Sequence, residues 1–118
     1  MSKILIAEDE MLLRLIAAEA LEDAGYRVLQ AGDGAAALEL LKSNPDIQVL
    51  VSDVKMPRMD GYTLAAAGLT IKPELQILMM TGYAQDPPAE LMRTRMIQIL
   101  RKPFDLDDLC NKVGELLA

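Results

Sequence analysis

The sequence of 118 residues contains no histidine, a single cysteine, and three tyrosines and one phenylalanine as its only aromatic residues. A protein without histidine lacks the commonest transition-metal ligand and the commonest general base. The single cysteine, Cys110, excludes an intramolecular disulfide bond and a thiolate metal site. Any chemistry that this chain performs must therefore use carboxylates, hydroxyls, lysine or a hard metal ion.

Basic residues are also scarce, because 12 lysines and arginines stand against 18 aspartates and glutamates, for a net charge of −6. Binding to nucleic acid or to an anionic membrane surface needs clustered positive charge, so we expect neither partner. Residues Met1–Ile4 lead straight into a short apolar stretch, without the long apolar run of a signal peptide or membrane span. We therefore expect a cytoplasmic protein.

The length fits one domain, and 52% hydrophobic residues are enough to bury an aliphatic core. Within residues 1–118, short apolar runs alternate with stretches of helical periodicity. The predicted strands are Lys3–Ala7, Tyr26–Gln30, Ile47–Ser52, Leu75–Met80 and Met96–Leu100. The predicted helices are a first one ending near Gly25, then Ala35–Leu41, Tyr62–Ile71, a short Ala89–Thr94 after Pro87-Pro88, and Asp105–Leu117.

Five strands alternating with five helices predict an α/β fold, a flavodoxin-like doubly wound sheet of five parallel strands. The expected strand order is 2-1-3-4-5, which places the first and third strands side by side at the point where such folds bind ligands. The carboxyl ends of all five strands then lie at one edge of the sheet.

Polar residues follow four of these predicted strands. They are Glu8 and Asp9 after the first strand, Asp53 after the third, Thr81 after the fourth and Lys102 after the fifth. Three carboxylates that converge repel one another unless a cation lies between them. Mg²⁺ is the chemically sensible cation, since it is hard and takes oxygen ligands.

This combination suits phosphoryl transfer to a carboxylate. Asp53 can act as a nucleophile and form an aspartyl phosphate, while a metal ion and Lys102 neutralise the transferring oxygens. Each residue alone also has a structural interpretation: Asp9 or Glu10 as a helix cap, Thr81 as a turn residue, Lys102 as a solvated charge. The functional interpretation depends on their occurring together at four strand ends.

Several motifs in this order resemble the receiver domains of bacterial two-component response regulators, over the whole chain. They are Ile4-Leu5-Ile6-Ala7-Glu8-Asp9-Glu10, Val51-Ser52-Asp53-Val54-Lys55-Met56-Pro57, Met59-Asp60-Gly61, Met80-Thr81-Gly82 and Lys102-Pro103-Phe104. The resemblance implies a stand-alone response regulator with no output domain. It also implies a monomer or weak dimer that promotes only its own phosphorylation and dephosphorylation and is not otherwise an enzyme.

The same resemblance implies roles for individual residues. Asp53 would accept a phosphoryl group from a histidine kinase or a histidine phosphotransfer protein. Glu8 and Asp9 would hold Mg²⁺ together with Asp53 and the backbone carbonyl of Lys55. Thr81 and Lys102 would bind the phosphoryl oxygens, and Lys102-Pro103 would be a cis peptide. The signal would leave as a conformational shift on the face of the fourth helix, fifth strand and fifth helix.

The sequence departs from the family's pattern at its switch. The family usually has an aromatic residue three positions before the lysine, where this chain has Ile99. Tyr83, two residues after Thr81, is the candidate to take over part of that role. Pro87-Pro88 shortens the fourth helix, and Glu8 stands where aspartate is more frequent.

Two other functions compete with phosphorylation. The first is a phosphate-independent adaptor whose pocket is vestigial, which Ile99 and the short fourth helix favour. The second is an aspartate-nucleophile phosphohydrolase, against which Val54 and Lys55 speak, since neither supplies a second acid close after Asp53.

Overall fold

The computed structural model describes residues 2–82, 88, 89, 93 and 96–118. Its elements, numbered in chain order, are β1 Lys3–Ala7, α1 Met11–Asp23, β2 Arg27–Ala31, α2 Gly34–Ser43, β3 Ile47–Asp53, α3 Gly61–Ile71, β4 Gln76–Thr81, β5 Ile97–Arg101 and α4 Leu106–Leu117. The predicted helix Ala89–Thr94 falls for the most part outside the described residues.

The five strands form one parallel sheet in the order β2-β1-β3-β4-β5, which confirms the predicted fold. The pairing register of the strands determines which residues lie side by side at the carboxyl edge of the sheet. Ala7 at the end of β1 pairs with Ser52 of β3, and Asp53 pairs with Met80 of β4. The polar residues after β1 therefore lie beside the end of β3.

Both faces of the sheet are buried, because side chains alternate across each strand. On β1, Leu5 and Ala7 belong to the core cluster that contains residues of α2 and α3. Ile4 and Ile6 belong to the second cluster, with residues of α1 and α4. This double burial explains why the strands are continuous apolar runs in the sequence.

Three helices begin at an aspartate that caps them. The carboxylates of Asp33, Asp60 and Asp105 each accept a hydrogen bond from a backbone N–H three residues later, at 2.8, 2.8 and 2.9 Å. In the sequence, the pairs Asp33-Gly34 and Asp60-Gly61 are typical of turns. In the structure α2 and α3 start at these glycines, one residue earlier than predicted.

The ends of β3, β4 and β5 extend one residue beyond the prediction, to Asp53, Thr81 and Arg101. The extension arises because the partner strand continues to pair there, as Thr81 does with Arg101. Asp53 and Thr81 are thus held by the sheet itself and do not lie in loops.

The first half of α1 leaves large apolar side chains in solvent. Its buried residues are Ala17, Ala18 and Leu21. Its exposed large apolar residues are Met11, Leu12, Leu13, Leu15 and Ile16. Together with the exposed Leu106 at the start of α4, we call them the α1 apolar face. Within the described part of the chain, no helix has both the length and the apolar character needed to cross a membrane.

Candidate functional site

The predicted acids converge at the carboxyl edge of the sheet. Carboxylate oxygens of Glu8, Asp9 and Asp53 lie within 4.8 Å of one another. Glu8 and Asp53 are buried, with 3% and 7% of their surface exposed, whereas Asp9 is open to solvent. One cluster therefore combines two desolvated carboxylates with one that remains accessible.

Asp53 is fixed by two donors. Its Oδ1 accepts hydrogen bonds from the Lys102 ammonium at 2.9 Å and from the Val54 N–H at 2.9 Å. The Ser52 hydroxyl, itself fully buried, donates to the Asp53 carbonyl oxygen at 2.8 Å. Lys102 follows β5, and its backbone N–H donates to the Thr81 carbonyl at 2.7 Å, which ties the lysine to the end of β4.

Thr81 carries the least ordinary feature of the site. The residue is completely buried, yet its Oγ1 has no hydrogen-bond partner within the described part of the chain. A buried hydroxyl left without a partner costs about 1 to 3 kcal/mol, and most buried side-chain polar atoms have one. The hydroxyl belongs to the last residue of β4, at the edge of the sheet where Asp53 and Lys102 meet.

Glu8 is held in an environment that disfavours its charge. Burial, together with the negative charge of Asp53, raises the pKa of Glu8 from 4.5 to about 7, although the Glu10 N–H that donates to its Oε2 at 3.1 Å opposes this shift. Glu10 occupies the N-cap position of α1 without a side-chain capping bond. Glu10 therefore does stand at the helix cap, as its structural interpretation has it, but its side chain forms no capping bond.

Gly61, the first residue of α3, lies directly against the backbone of Asp53. A Cβ atom at this position would lie 2.2 Å from the Asp53 carbonyl oxygen and 2.6 Å from the Cε of Met79. The Gly61 N–H also donates to the Val54 carbonyl at 2.8 Å. The start of α3 can approach the end of β3 this closely only because the residue there has no side chain.

Three other predicted residues lie around the cluster. Lys55 is two residues beyond Asp53 with an exposed side chain, and the role of its carbonyl as a metal ligand stays a prediction. Ile99 is half-buried on β5 and packs against the cluster that contains residues of α2 and α3. Tyr83 lies outside the described residues, so its role as a switch stays a prediction. The Lys102-Pro103 peptide is cis, as the resemblance implies.

Three residues that hold the site in place, Ser52, Gly61 and Arg14, are not identified as such by sequence reasoning. Arg14, on the first turn of α1, donates from Nη1 to the Glu8 carbonyl at 2.9 Å. The Asp60-Gly61 pair is typical of a turn in the sequence. The close approach of Gly61 to Asp53, however, follows from the packing of α3 on β3.

The acid cluster fits Mg²⁺. The ion takes oxygen ligands and commonly binds through one or two carboxylates and a phosphate. Three carboxylates here face one ammonium group. Burial, and after it the negative charge of Asp53, raises the pKa of Glu8, and a bound divalent cation would favour the ionised form of this carboxylate. Glu8, Asp9 and Asp53 are the side chains that would hold it.

The pKa of Glu8 predicts how stability depends on pH in the absence of metal. The folded state binds the Glu8 proton more tightly than the unfolded chain, so stability should fall as pH rises from about 4.5 to about 7. The loss should reach about 2 to 3 kcal/mol. Mg²⁺ should restore it, because the ion binds the ionised, folded cluster.

Thermal melting with and without millimolar Mg²⁺ across this pH range tests the expectation. Glu8→Gln keeps the acceptor for the Glu10 N–H but cannot ionise, so its melting temperature should vary less with pH and respond less to Mg²⁺. Identical pH profiles for the variant and the parent protein would contradict the assignment.

Comparisons with known proteins agree with this geometry. The family model for the response regulator receiver domain matches residues 4–114. The chain is 39% identical to the response regulator receiver protein CpdR of Brucella abortus (strain 2308), over 99% of this chain and 98% of CpdR. It is 32% identical to sporulation initiation phosphotransferase F of Bacillus subtilis (strain 168), over 98% and 93% of the two chains.

The solved structures give the same result. The crystal structure of the receiver domain from the hybrid histidine kinase CckA matches with a TM-score of 0.85 and 31% identity, over 99% of this chain and all of that one. The chain therefore belongs to the response regulator receiver domain family of two-component signalling.

Proposed function

We propose that this protein is a response regulator whose Asp53 accepts a phosphoryl group, with Mg²⁺, from a histidine kinase or a histidine phosphotransfer protein. The observation that carries the proposal is the buried Thr81 hydroxyl, which has no hydrogen-bond partner among the described residues, at the same edge as the Asp53–Lys102 ion pair and the acid cluster. A hydroxyl, an ammonium group and a metal-binding set of acids together match the needs of a bound phosphoryl group.

In the proposed reaction a carboxylate oxygen of Asp53 attacks phosphorus. An O–P bond forms, the P–N bond to the donor imidazole breaks, and its electron pair stays on the imidazole nitrogen. Lys102, already 2.9 Å from Asp53, would then pair with a phosphoryl oxygen, and Thr81 would donate its hydroxyl proton to another. Mg²⁺, when bound by the acids, supplies positive charge to the transferring oxygens.

The proposal includes no turnover of an external substrate. Val54 and Lys55 follow Asp53 and offer no second acid to activate water on a foreign phosphoester. We therefore propose that the protein promotes only its own phosphorylation and dephosphorylation. It would act in the bacterial cytoplasm, as a monomer or weak dimer, by partner binding or by onward transfer; the Bacillus subtilis relative, which is named a phosphotransferase, supports the second route.

Intact-mass spectrometry after incubation with acetyl phosphate and Mg²⁺ tests the proposal. The protein should gain about 80 Da, the mass of one phosphoryl group. Asp53→Asn should gain nothing. The matched control Asp60→Asn changes an exposed aspartate that caps α3, and it should be labelled like the parent protein because asparagine also caps helices. No mass gain in the parent protein with any phosphoryl donor would refute the proposal.

The α1 apolar face is the surface that we assign to the protein phosphodonor. Met11 and Leu12 are 65% and 68% exposed, and they follow directly after the acid cluster along the chain. The acids Glu19, Asp23 and Asp107 line a cleft together with Ile16 and Leu106 of this face. A helical partner with apolar and basic residues would complement this surface.

Leu12→Asp tests this assignment. It should reduce phosphoryl transfer from a protein donor at least about tenfold, because burying one leucine side chain is worth about 1.5 to 3 kcal/mol. Labelling by acetyl phosphate should not change, since the small donor needs no docking surface. Leu12 is solvent-exposed, so folding should be unaffected, as melting would verify. Equal loss with both donors would show that the substitution damages the pocket and would remove this surface from the account.

A phosphate-independent adaptor is the alternative, and Ile99 on β5 is the observation that favours it. Asp53→Asn would separate the two functions once a partner is in hand. A switch should lose the response of partner binding to a phosphoryl donor, whereas an adaptor should bind its partner equally with and without the donor.

A further inference from the structure

Arg14 joins three segments around the acid cluster. Its Nη1 donates to the Glu8 carbonyl oxygen at 2.9 Å, and its Nε donates to Gln30 Oε1 on β2 at 3.3 Å. Its own backbone N–H donates to the Glu10 carbonyl at 3.0 Å in the first turn of α1. The guanidinium therefore connects β2 and the start of α1 with the residue that provides the most buried metal-binding carboxylate.

Gly32 makes room for this guanidinium. A Cβ atom at position 32 would lie 3.2 Å from Nη1 of Arg14, which is closer than most real contacts of this kind, and at an ordinary contact distance of 3.9 Å from Cζ. Gly32 does not have a left-handed backbone conformation; Gly25 is the glycine with positive φ in the described part of the chain. Space for Arg14 is thus the structural reason for a glycine here.

The loop between β1 and α1 has few other restraints. The Glu8 N–H donates to the Ala31 carbonyl at 3.1 Å, and the Glu10 N–H donates to the Glu8 carboxylate at 3.1 Å. Arg14 supplies the bond to the Glu8 carbonyl and so fixes the peptide that joins Glu8 to Asp9. A rotation of that peptide would move both carboxylates.

We propose that Arg14 is a positioning residue that holds Glu8 and Asp9 in the arrangement that binds Mg²⁺ before the ion arrives. The inference rests on the proposed function, because it concerns the same metal site. Arg14 is itself a cation beside a cluster that binds a cation. Its hydrogen bonds favour Mg²⁺ binding by holding the geometry of the cluster, whereas its positive charge opposes Mg²⁺ binding.

These two effects have opposite signs, which makes the proposal testable. Removing a positive charge next to the cluster should by itself strengthen Mg²⁺ binding. Releasing the loop should weaken Mg²⁺ binding, because the bound geometry must then be ordered when the ion binds. We expect the second effect to dominate, so that Arg14→Ala lowers the Mg²⁺ affinity about tenfold, at the low end of losses for partners of metal ligands.

Calorimetric titration of the full chain with MgCl₂ measures this affinity directly. Arg14→Lys keeps the charge and one donor and should recover part of the lost affinity. Gly32→Ala keeps Arg14 but crowds its guanidinium, and it should weaken binding in the same direction. Arg27→Ala removes the same charge at the opposite end of the sheet, where Arg27 pairs with Lys3, and it should leave the affinity unchanged.

A second readout follows the loop itself. Amide hydrogen exchange at Glu10, whose N–H bonds the Glu8 carboxylate, should be faster in Arg14→Ala than in the parent protein, while exchange in the strands stays unchanged. Alanine is the best helix former, so the substitution should not weaken α1, and if Arg14→Ala does not fold, Gly32→Ala provides the same comparison.

Mg²⁺ affinity that is equal or higher in Arg14→Ala, with unchanged exchange at Glu10, would overturn the proposal, because Arg14 would then act only as a nearby charge. A failure of the proposed function would give a different experimental result. In that case the parent protein itself would show no Mg²⁺ binding and no phosphorylation.

Discussion

Replacing Lys102 with methionine should slow phosphorylation of Asp53 by at least about 100-fold, the usual loss when one donor to a developing negative charge is removed. Lys102 Nζ lies 2.9 Å from Asp53 Oδ1 and, in the described site, is the cation that this carboxylate contacts. Methionine keeps most of the length of the side chain but supplies no charge and no donor. The rate should be measured as mass gain with acetyl phosphate at saturating Mg²⁺.

The same substitution should not weaken Mg²⁺ binding. The cluster loses a competing positive charge when Lys102 is removed, so its affinity for the ion should stay equal or rise. Lys112→Met is the matched control, since Lys112 lies on α4 in an exposed pair with Glu115. A rate for Lys102→Met that equals the rate for Lys112→Met would exclude the lysine from the proposed reaction.

Substituting Gly61 with alanine should destabilise the protein by at least about 3 kcal/mol, the upper end of the cost of overpacking. The added Cβ would lie 2.2 Å from the Asp53 carbonyl oxygen, a backbone atom in a paired strand that cannot move away cheaply. The backbone of Asp53 would be displaced, so the fraction that still folds should also be phosphorylated poorly. Chemical denaturation gives the free energy of unfolding.

Gly114→Ala is the control for the Gly61 substitution. Gly114 lies inside α4, and a Cβ atom there would meet the Tyr26 hydroxyl at 3.7 Å, an ordinary contact. Alanine should stabilise this helix by about 0.5 to 1 kcal/mol. If Gly61→Ala had the same free energy of unfolding as the parent protein, the start of α3 could not lie as close to the Asp53 carbonyl as it does in the structure.

The parts of the fold that depend on local pattern could be predicted from the sequence. Apolar runs such as Ile47–Ser52 identify strands that are buried on both faces, and alternation with helices gives the sheet order. The strand ends were misplaced by one residue, because the pairing of Asp53 with Met80 depends on a strand that is distant in sequence. Residue spacing alone does not contain this information.

The residues that make up the site could be predicted from the sequence, whereas the contacts that hold them in place could not. Acids, a threonine and a lysine after four strands of one sheet must meet at one edge. The Thr81 hydroxyl, which has no partner among residues 2–82 and the other described positions, and the bond from Arg14 to the Glu8 carbonyl both depend on side-chain packing in three dimensions. Leu12 and Ile16 recur with helical spacing in the sequence, yet both are exposed in the structure, which spacing alone does not reveal.

The most direct test of the account is to locate the phosphoryl group on the chain. The protein should be treated with acetyl phosphate, with Mg²⁺ or with a chelator, and its acyl phosphate trapped by borohydride reduction before peptide mass spectrometry. The account predicts a reduced residue at position 53 when Mg²⁺ is present and almost none with the chelator. Trapping at Asp9 or Asp60, or equal labelling in the chelator, would contradict the account.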